Sequence, residues 1–283
     1  MNKIGYLFIC ASELNQNKIW ENYFKCLSLT CTNYQIIFLF YKTPPKTIIS
    51  GIKNIRYINV LSLKPGWGNI NYIKCMLYGL EVIFKEYLCT KALIFSESCI
   101  PIHNPNYIHT IINNTPKSLL HIFKIDKNDN CFKRIESALN KTFFENKGYI
   151  YKYYAQGLCI NKDLYDLLNK TKNKYINEFK LVKNIDEHYI GCVIQSEDLD
   201  INDFIEYKTM MYFNWNVIGF NNRAPYTYLT LDKELITFIG RDFLFLRKVH
   251  KSTIIKCDIL ALTDHDYNNS KQIDLLVHNI KKK

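Results

Sequence analysis

Two carboxylates, an imidazole and a phenol stand side by side in Asn184-Ile185-Asp186-Glu187-His188-Tyr189. The apolar segment that begins at Ile190 and includes Val193 and Ile194 reads as a short helix. That helix would put both acids at its N-terminus, where negative charge is favoured. A carboxylate held there beside an aromatic ring is suited to removing a proton from a hydroxyl. The same residue types also serve as plain helix caps, so the tetrad alone leaves both readings open. Two other groups invite chemistry. Cys99, in Ser96-Glu97-Ser98-Cys99-Ile100-Pro101, has no His or Asp at the spacing of a Cys–His pair and reads as a buried thiol. Asp264-His265-Asp266 has metal-binding residue types, but its place near a polar terminus reads as a short acidic turn.

These groups need a scaffold, and the first half of the chain describes one. Ile4–Cys10, Gln35–Tyr41, Ile55–Val60 and Lys91–Phe95 are apolar runs of strand length, the form of strands buried on both faces. Between them, Trp20, Tyr23, Phe24 and Leu27 recur at helical spacing, and a long helical pattern runs from Ile70 to Tyr87. Alternating strands and helices predict an α/β fold with a central, mostly parallel sheet flanked by helices. Ligands of such sheets bind beyond the carboxyl ends of the strands, where residues 96–101 fall. Residues 126–152 turn polar and read as a long loop over the site, followed by a strand over Gln156–Ile160 and a helix over Lys162–Thr171. No repeat or Gly/Ser/Pro-rich linker divides the chain. It is expected to form a single domain over 1–283, with two halves that meet at about residue 125.

Composition narrows the function. Of 283 residues, 48% are hydrophobic and 14% aromatic, which describes a chain able to build a large core. The formal net charge of +11 favours an anionic partner. The basic residues are dispersed, however, and no RNA-recognition, zinc or helix-turn-helix pattern accompanies them, so a nucleic-acid partner is not expected. No G-x-G-x-x-G follows the first strand and no Walker loop is present, which argues against a dinucleotide enzyme or a P-loop NTPase. The longest apolar runs fall well short of the ~20 residues that span a bilayer, and no signal-peptide cleavage site follows the first one. A soluble, cytoplasmic protein is expected. Its ten cysteines lack zinc spacing and read as free thiols of a reducing compartment. The Ile, Lys, Asn and Tyr bias is of the kind that AT-rich coding produces, as in an AT-rich organism or a large DNA virus.

Three separated segments resemble one family. Ser96-Glu97-Ser98-Cys99-Ile100-Pro101-Ile102 is similar to the S-E-S-C-I-P-L signature of the core-2/I-branching glycosyltransferases, a family that also contains the xylosyltransferases. Asp186-Glu187-His188-Tyr189 matches its D-E-H-Y segment, and Lys3 to Lys25, with Trp20-Glu21 and Phe24-Lys25, resembles its first strand and helix. Weaker echoes are Trp67-Gly68, Gln156 in a central strand, and Phe245-Leu246-Arg247-Lys248. The order and rough spacing agree over residues 3 to 250.

The resemblance implies a GT-A, Rossmann-like glycosyltransferase that inverts the anomeric configuration and uses a UDP-sugar, with a nucleotide-sugar-binding half to about residue 125 and an acceptor-binding, catalytic half from about 126. UDP-N-acetylglucosamine is the first expectation and UDP-xylose the second, with a hydroxyl of a glycan or glycoprotein as acceptor. It makes Glu187 the general base, with Asp186 orienting it or an acceptor hydroxyl. Ser96 and Glu97 fall where other GT-A enzymes carry a metal-binding D-x-D. A single acid there offers no carboxylate pair, so neither metal nor cofactor is expected. The family instead neutralises the departing diphosphate with a lysine and an arginine. Lys248 aligns with the lysine, whereas the arginine's position falls on Tyr226. Arg223 is the arginine chosen to replace it, with Arg241 and Arg247 as further options. Trp67 and Tyr226 are assigned to the donor, and Trp215 and Gln156 to the acceptor. His188 and Tyr189 are expected to pack beneath the base. A nucleic-acid-binding protein, or an inactive relative that retains sugar binding without turnover, is the alternative.

Overall fold

The computed structural model describes residues 2–31, 33–43, 52–66, 68–138, 148–215 and 225–268. In chain order the first strands are β1 (Ile4–Cys10), β2 (Tyr34–Phe40), β3 (Ile55–Asn59), β4 (Lys91–Phe95), β5 (Cys99–Pro101), β6 (Ser118–Leu120) and β7 (Ile122–Asp126). There follow β8 (Tyr149–Tyr153), β9 (Leu158–Asn161), β10 (Ile205–Tyr207), β11 (Met211–Phe213), β12 (Tyr228–Leu231), β13 (Phe245–Arg247) and β14 (Val249–Ile255). The helices are α1 (Asn17–Thr30), α2 (Ile70–Glu81), α3 (Pro105–Asn114), α4 (Asn130–Ala138) and α5 (Lys162–Glu178). After them come α6 (Tyr189–Ser196), α7 (Ile201–Phe204), α8 (Lys233–Gly240) and α9 (Asp264–Asn268).

Seven strands form the central sheet in the order β10-β6-β9-β4-β1-β2-β3. All neighbours run parallel except at β9, which is antiparallel to both β4 and β6. Alternation along β1 explains the uninterrupted apolar runs. Tyr6 and Phe8 enter the core beneath α1 and α3, whereas Leu7 and Ile9 enter the core beneath α2, α5 and α6. Burial on both faces makes every position apolar, so the α/β fold read from the sequence is the fold observed. Trp20 is fully buried in α1 and donates from Nε1 to the Cys99 carbonyl at 2.8 Å, which ties the first helix to the strand end that carries the serines.

Three sequence expectations are corrected. Residues 126–152 contain α4 and β8 in addition to a loop, because Phe132 and Ile135 give α4 an apolar face and Ile150, Tyr151 and Tyr153 fill the core from β8. Gln156 precedes the strand. Gly157, at φ +72°, turns the chain first, and its N–H reaches the Ile94 carbonyl at 3.0 Å before β9 begins at Leu158. The helix expected to end at Thr171 runs on to Glu178, since Tyr175 continues its buried stripe. The Ile70–Tyr87 pattern is helical as expected, α2 passing into a π-helical turn over Val82–Glu86. The acidic turn at Asp264 is the short helix α9, where Asp266 accepts from the Thr263 N–H at 2.8 Å.

Candidate active site

Ser96 and Ser98 follow β4, the strand at the middle of the sheet. Their hydroxyls bond at 3.1 Å, and Ser96 Oγ also contacts Cys99 Sγ at 3.4 Å. The three-stranded sheet β11-β13-β5 then brings the C-terminal motif to the same place, with Arg247 opposite Cys99. Arg247 Nε donates to Ser98 Oγ at 3.3 Å, and the Val249 N–H donates to the Ser98 carbonyl at 3.0 Å. Lys248 lies between these two contacts, half-buried, and its own carbonyl accepts from the Tyr228 N–H at 2.9 Å. Glu97 is half-buried and its carbonyl accepts from the Asn15 N–H at 2.9 Å. Cys99 is fully buried, and burial raises its thiol pKa against the opposing pull of Arg247 and Ser96. It is a structural thiol, as read from the sequence, and all ten cysteines are free.

The acidic tetrad is built differently. Ile185–Glu187 forms a single 3₁₀ turn ahead of α6, and the residue that opens α6, His188, makes no side-chain cap. The two acids therefore do not cap α6. Asp186 is 2% exposed and accepts the Gly68 N–H on Oδ2 at 3.2 Å, while the Asn184 N–H donates back to the Gly68 carbonyl at 2.7 Å. Gly68 is required at this clasp. It sits at φ +75°, and a Cβ on it would lie 2.6 Å from Asn184 Oδ1. Burial, then the adjacent Glu187 charge, pushes the Asp186 carboxyl up to about 6, against the pull of nearby backbone N–H groups. His188 is fully buried and its Nδ1 bonds to the Tyr151 carbonyl at 3.1 Å, so Nδ1 carries the proton. Burial lowers its pKa to about 4, which keeps the ring neutral. Tyr189 is buried beside it. Both pack beneath the turn, as expected.

Glu187 remains partly exposed and forms an ion pair with Lys152 of β8, Oε2 to Nζ at 3.3 Å. Tyr154 lies near both charges, and burial is the main cause of its raised pKa. The Tyr154 ring stacks on Trp215, centroids 5.9 Å apart and planes within 19°, and on His121 at 4.9 Å. Next to Trp215, the Asn214 carbonyl accepts from the Tyr226 N–H at 2.8 Å, and the Tyr226 ring meets Tyr228 edge-on at 5.2 Å. Tyr228 in turn is bonded to Lys248 through the backbone, so contacts lead from Tyr154 to the Lys248 segment.

Tyr72, on the first turn of α2, lies within electrostatic reach of both motifs. Asn69 caps that helix by accepting from the Asn71 and Tyr72 N–H groups. Gln156 Nε2 donates to the Tyr72 phenol at 2.6 Å. Burial raises the phenol's pKa first, and Asp186 raises it further while Arg247 opposes. A phenol within electrostatic reach of Asp186 and Arg247 places the acidic turn and the serine–arginine segment around one centre. Asp186, Gln156 and Arg247 thus surround Tyr72, Trp215 and Tyr226 follow through Tyr154 and Asn214, and Glu97 lies within electrostatic reach of Cys10 and Tyr41. Trp67 and Arg223 lie outside the described residues. Sequence reasoning missed Lys152, Tyr154 and Tyr72. The alternation Tyr149-Ile150-Tyr151-Lys152-Tyr153 was the signal for the first, a lone cation in an aromatic strand.

Among the described residues, no three His, Cys, Asp or Glu side chains converge as a metal set, and no helix is long and apolar enough to cross a membrane. A search of curated proteins finds no match. Among solved structures, the chain is similar to the galactosyltransferase LgtC, solved with donor and acceptor sugar analogs. That likeness has 17% identity, covers 68% of this chain and 70% of the other, and has a TM-score of 0.36. The bifunctional glycosyltransferase WbbM, in its apo form, matches at 8% identity over 87% of this chain and 45% of its own, with a TM-score of 0.43. The family model described as Core-2/I-Branching enzyme matches residues 4–240. With most of its length matched, this chain belongs to the core-2/I-branching enzyme family and is a glycosyltransferase.

Proposed function

We propose that the chain is an inverting glycosyltransferase of GT-A type that moves a sugar from a UDP-sugar to a hydroxyl of a glycan or glycoprotein. The observation that supports this reading is that Asp186, Gln156 and Arg247 all act on Tyr72, so the acidic turn lies near the Ser96–Ser98 segment. Glu187 takes the acceptor hydroxyl's proton as that oxygen bonds to the anomeric carbon. The bond from this carbon to the diphosphate breaks, and its electron pair leaves with UDP. One base and one direct displacement invert the centre, whereas retention would need a carboxylate nucleophile.

Charge that develops on the diphosphate is met by Lys248 and, among the described arginines, by Arg247, which Ser98 holds in the same segment. Fixed cations aimed at developing charge stabilise the transition state more than the ground state. Glu97 is the only acid of the 96–101 segment, which favours departure assisted by these cations without a metal. Asp186 fixes the turn through Gly68 and so orients Glu187. Trp215, stacked on Tyr154 near the base, offers a ring to the acceptor, and Tyr226 lies on the donor side. UDP-N-acetylglucosamine is the preferred donor and UDP-xylose the second.

The test is thermal melting with UDP, UDP-N-acetylglucosamine, UDP-xylose, UDP-glucose and GDP-mannose, in EDTA and again with manganese. Ligands that bind only the folded state raise the melting temperature. A rise with one UDP-sugar in EDTA is expected. A rise that requires manganese overturns the metal-free assignment, and no rise with any of them overturns the donor class.

A further inference from the structure

The partner of the proposed base is itself held in place. Lys152 is on β8, with its side chain 23% exposed, and Glu187 is 18% exposed. Behind the ammonium, Cys131 Sγ receives Lys152 Nζ at 3.7 Å and an Arg134 guanidinium N–H at 2.9 Å. The backbone of β8 is fixed by its register with β7, where Lys152 opposes Phe123. On the other side, α6 packs so closely on β8 that a Cβ at Gly191 would lie 2.4 Å from the Tyr151 Cβ. The strand that carries the ammonium and the helix that follows the carboxylate therefore form one packed unit. Burial works against the charge on Lys152, but Glu187 and Cys131 more than restore it, and its pKa is raised. A solvated surface pair has no such fixed surroundings.

We infer that Lys152 is a positioning residue for Glu187: its ammonium grips Oε2 and presents Oε1 to the acceptor hydroxyl. The inference rests on Glu187 being the base. Lys152 stays protonated throughout. When Glu187 has taken the acceptor's proton, the ion pair loses its attraction, so Lys152 favours return of that proton to solvent and resets the base. The charged and titratable groups around Glu187 are Asp186 on its own turn and Lys152 and Tyr154 from β8 and the residue after it. Arg134 and Cys131 of α4, with Asp129 just before it, face Lys152. Among the described residues, Lys152 is the cation that touches the carboxylate.

The experiment measures UDP release from UDP-N-acetylglucosamine and UDP-xylose by the full chain, with water taking the sugar in place of the acceptor hydroxyl, and with Glu187→Gln, Lys152→Met and Lys152→Arg alongside, each checked for folding by its melting curve. Misplacing a reacting group by about 1 Å costs on the order of 10²-fold. Lys152→Met is therefore expected to lower kcat by about 10- to 100-fold, leave the donor KM within about twofold, and move the acidic limb of the kcat profile to higher pH. Lys152→Arg, which keeps the charge, should recover most of the loss. If Glu187→Gln is inactive but Lys152→Met matches the parent in kcat and pH profile, the inference is overturned while the base stands. If Glu187→Gln remains active, the base itself is wrong and the inference falls with it. No UDP release by the parent chain from either donor overturns the activity on which both rest. Should Lys152→Met fail to fold, Lys152→Arg decides: a profile like the parent's supports the inference, and a loss as deep as that of Glu187→Gln overturns it.

Discussion

The Ser96–Pro101 strand end and the Asn184–Tyr189 turn both lie within electrostatic reach of Tyr72, yet they are held by opposite means. The strand end continues the central strand of the sheet, and its polar groups satisfy one another: Ser96 with Ser98 and Cys99, Ser98 with Arg247. The turn has no sheet partner. Distant groups hold it, with Gly68 on Asp186, Tyr151 on His188 and Lys152 on Glu187. It also keeps buried polar atoms that lack a hydrogen bond of good geometry, Asp186 Oδ1, His188 Nε2 and the Tyr189 hydroxyl. Buried unsatisfied groups and displaced pKa values are costly, and they collect where a protein performs chemistry. The contrast supports the proposal that the strand end holds a ligand and the turn reacts with it.

The largest expected effect tests the reacting side. Glu187→Gln keeps shape and removes the proposed base, and should lower kcat by about 10²- to 10⁴-fold with the donor KM little changed. Next comes the holding side. Lys248→Met or Arg247→Met should each cost about 10²- to 10³-fold in kcat/KM, and UDP should stabilise the variants less than it does the parent. Arg223→Met decides between the two arginines, since only the one at the diphosphate should show this loss.

Smaller effects concern stability. Gly68→Ala forces a side chain into a left-handed backbone position and against Asn184, and should lower stability by about 1–3 kcal/mol in a denaturant melt. Asp186→Asn should act with the opposite sign. An aspartate near 3.9 in the unfolded chain and near 6 when folded makes the folded state bind the proton more tightly, so stability falls as pH rises through this interval. The uncharged amide of the variant carries no such cost. Its advantage should be absent below about pH 4 and reach at most about 3 kcal/mol above pH 6, read from melts across that range. Smallest of all, Cys131→Ala leaves the Lys152–Glu187 pair in place and should alter kcat by no more than about threefold.

The sheet was legible because burial on both faces leaves uninterrupted apolar runs, and Tyr34–Phe40 and Lys91–Phe95 lie within one residue of their sequence bounds. The serine segment was legible for the same reason, since its place follows from a strand end. The turn was legible in composition and not in construction. Nothing local in Asp186-Glu187 tells that one carboxylate clasps Gly68, 118 positions away, while the other meets a lysine from β8. Such long-range partners carry no periodicity. Lys152 was further concealed because the polar stretch before it reads as loop, although β8 buries Ile150, Tyr151 and Tyr153. Gln156 illustrates a finer limit: a positive φ at Gly157 moved the start of β9 past it.

The most direct test of the whole account is a proton NMR time course of UDP-N-acetylglucosamine turnover in EDTA, read at the anomeric proton of the first sugar product formed. The donor sugar is α-linked to its diphosphate, so a general base acting in one displacement predicts a β-configured product at the outset. An α-configured first product, or turnover that begins only when manganese is added, would contradict it.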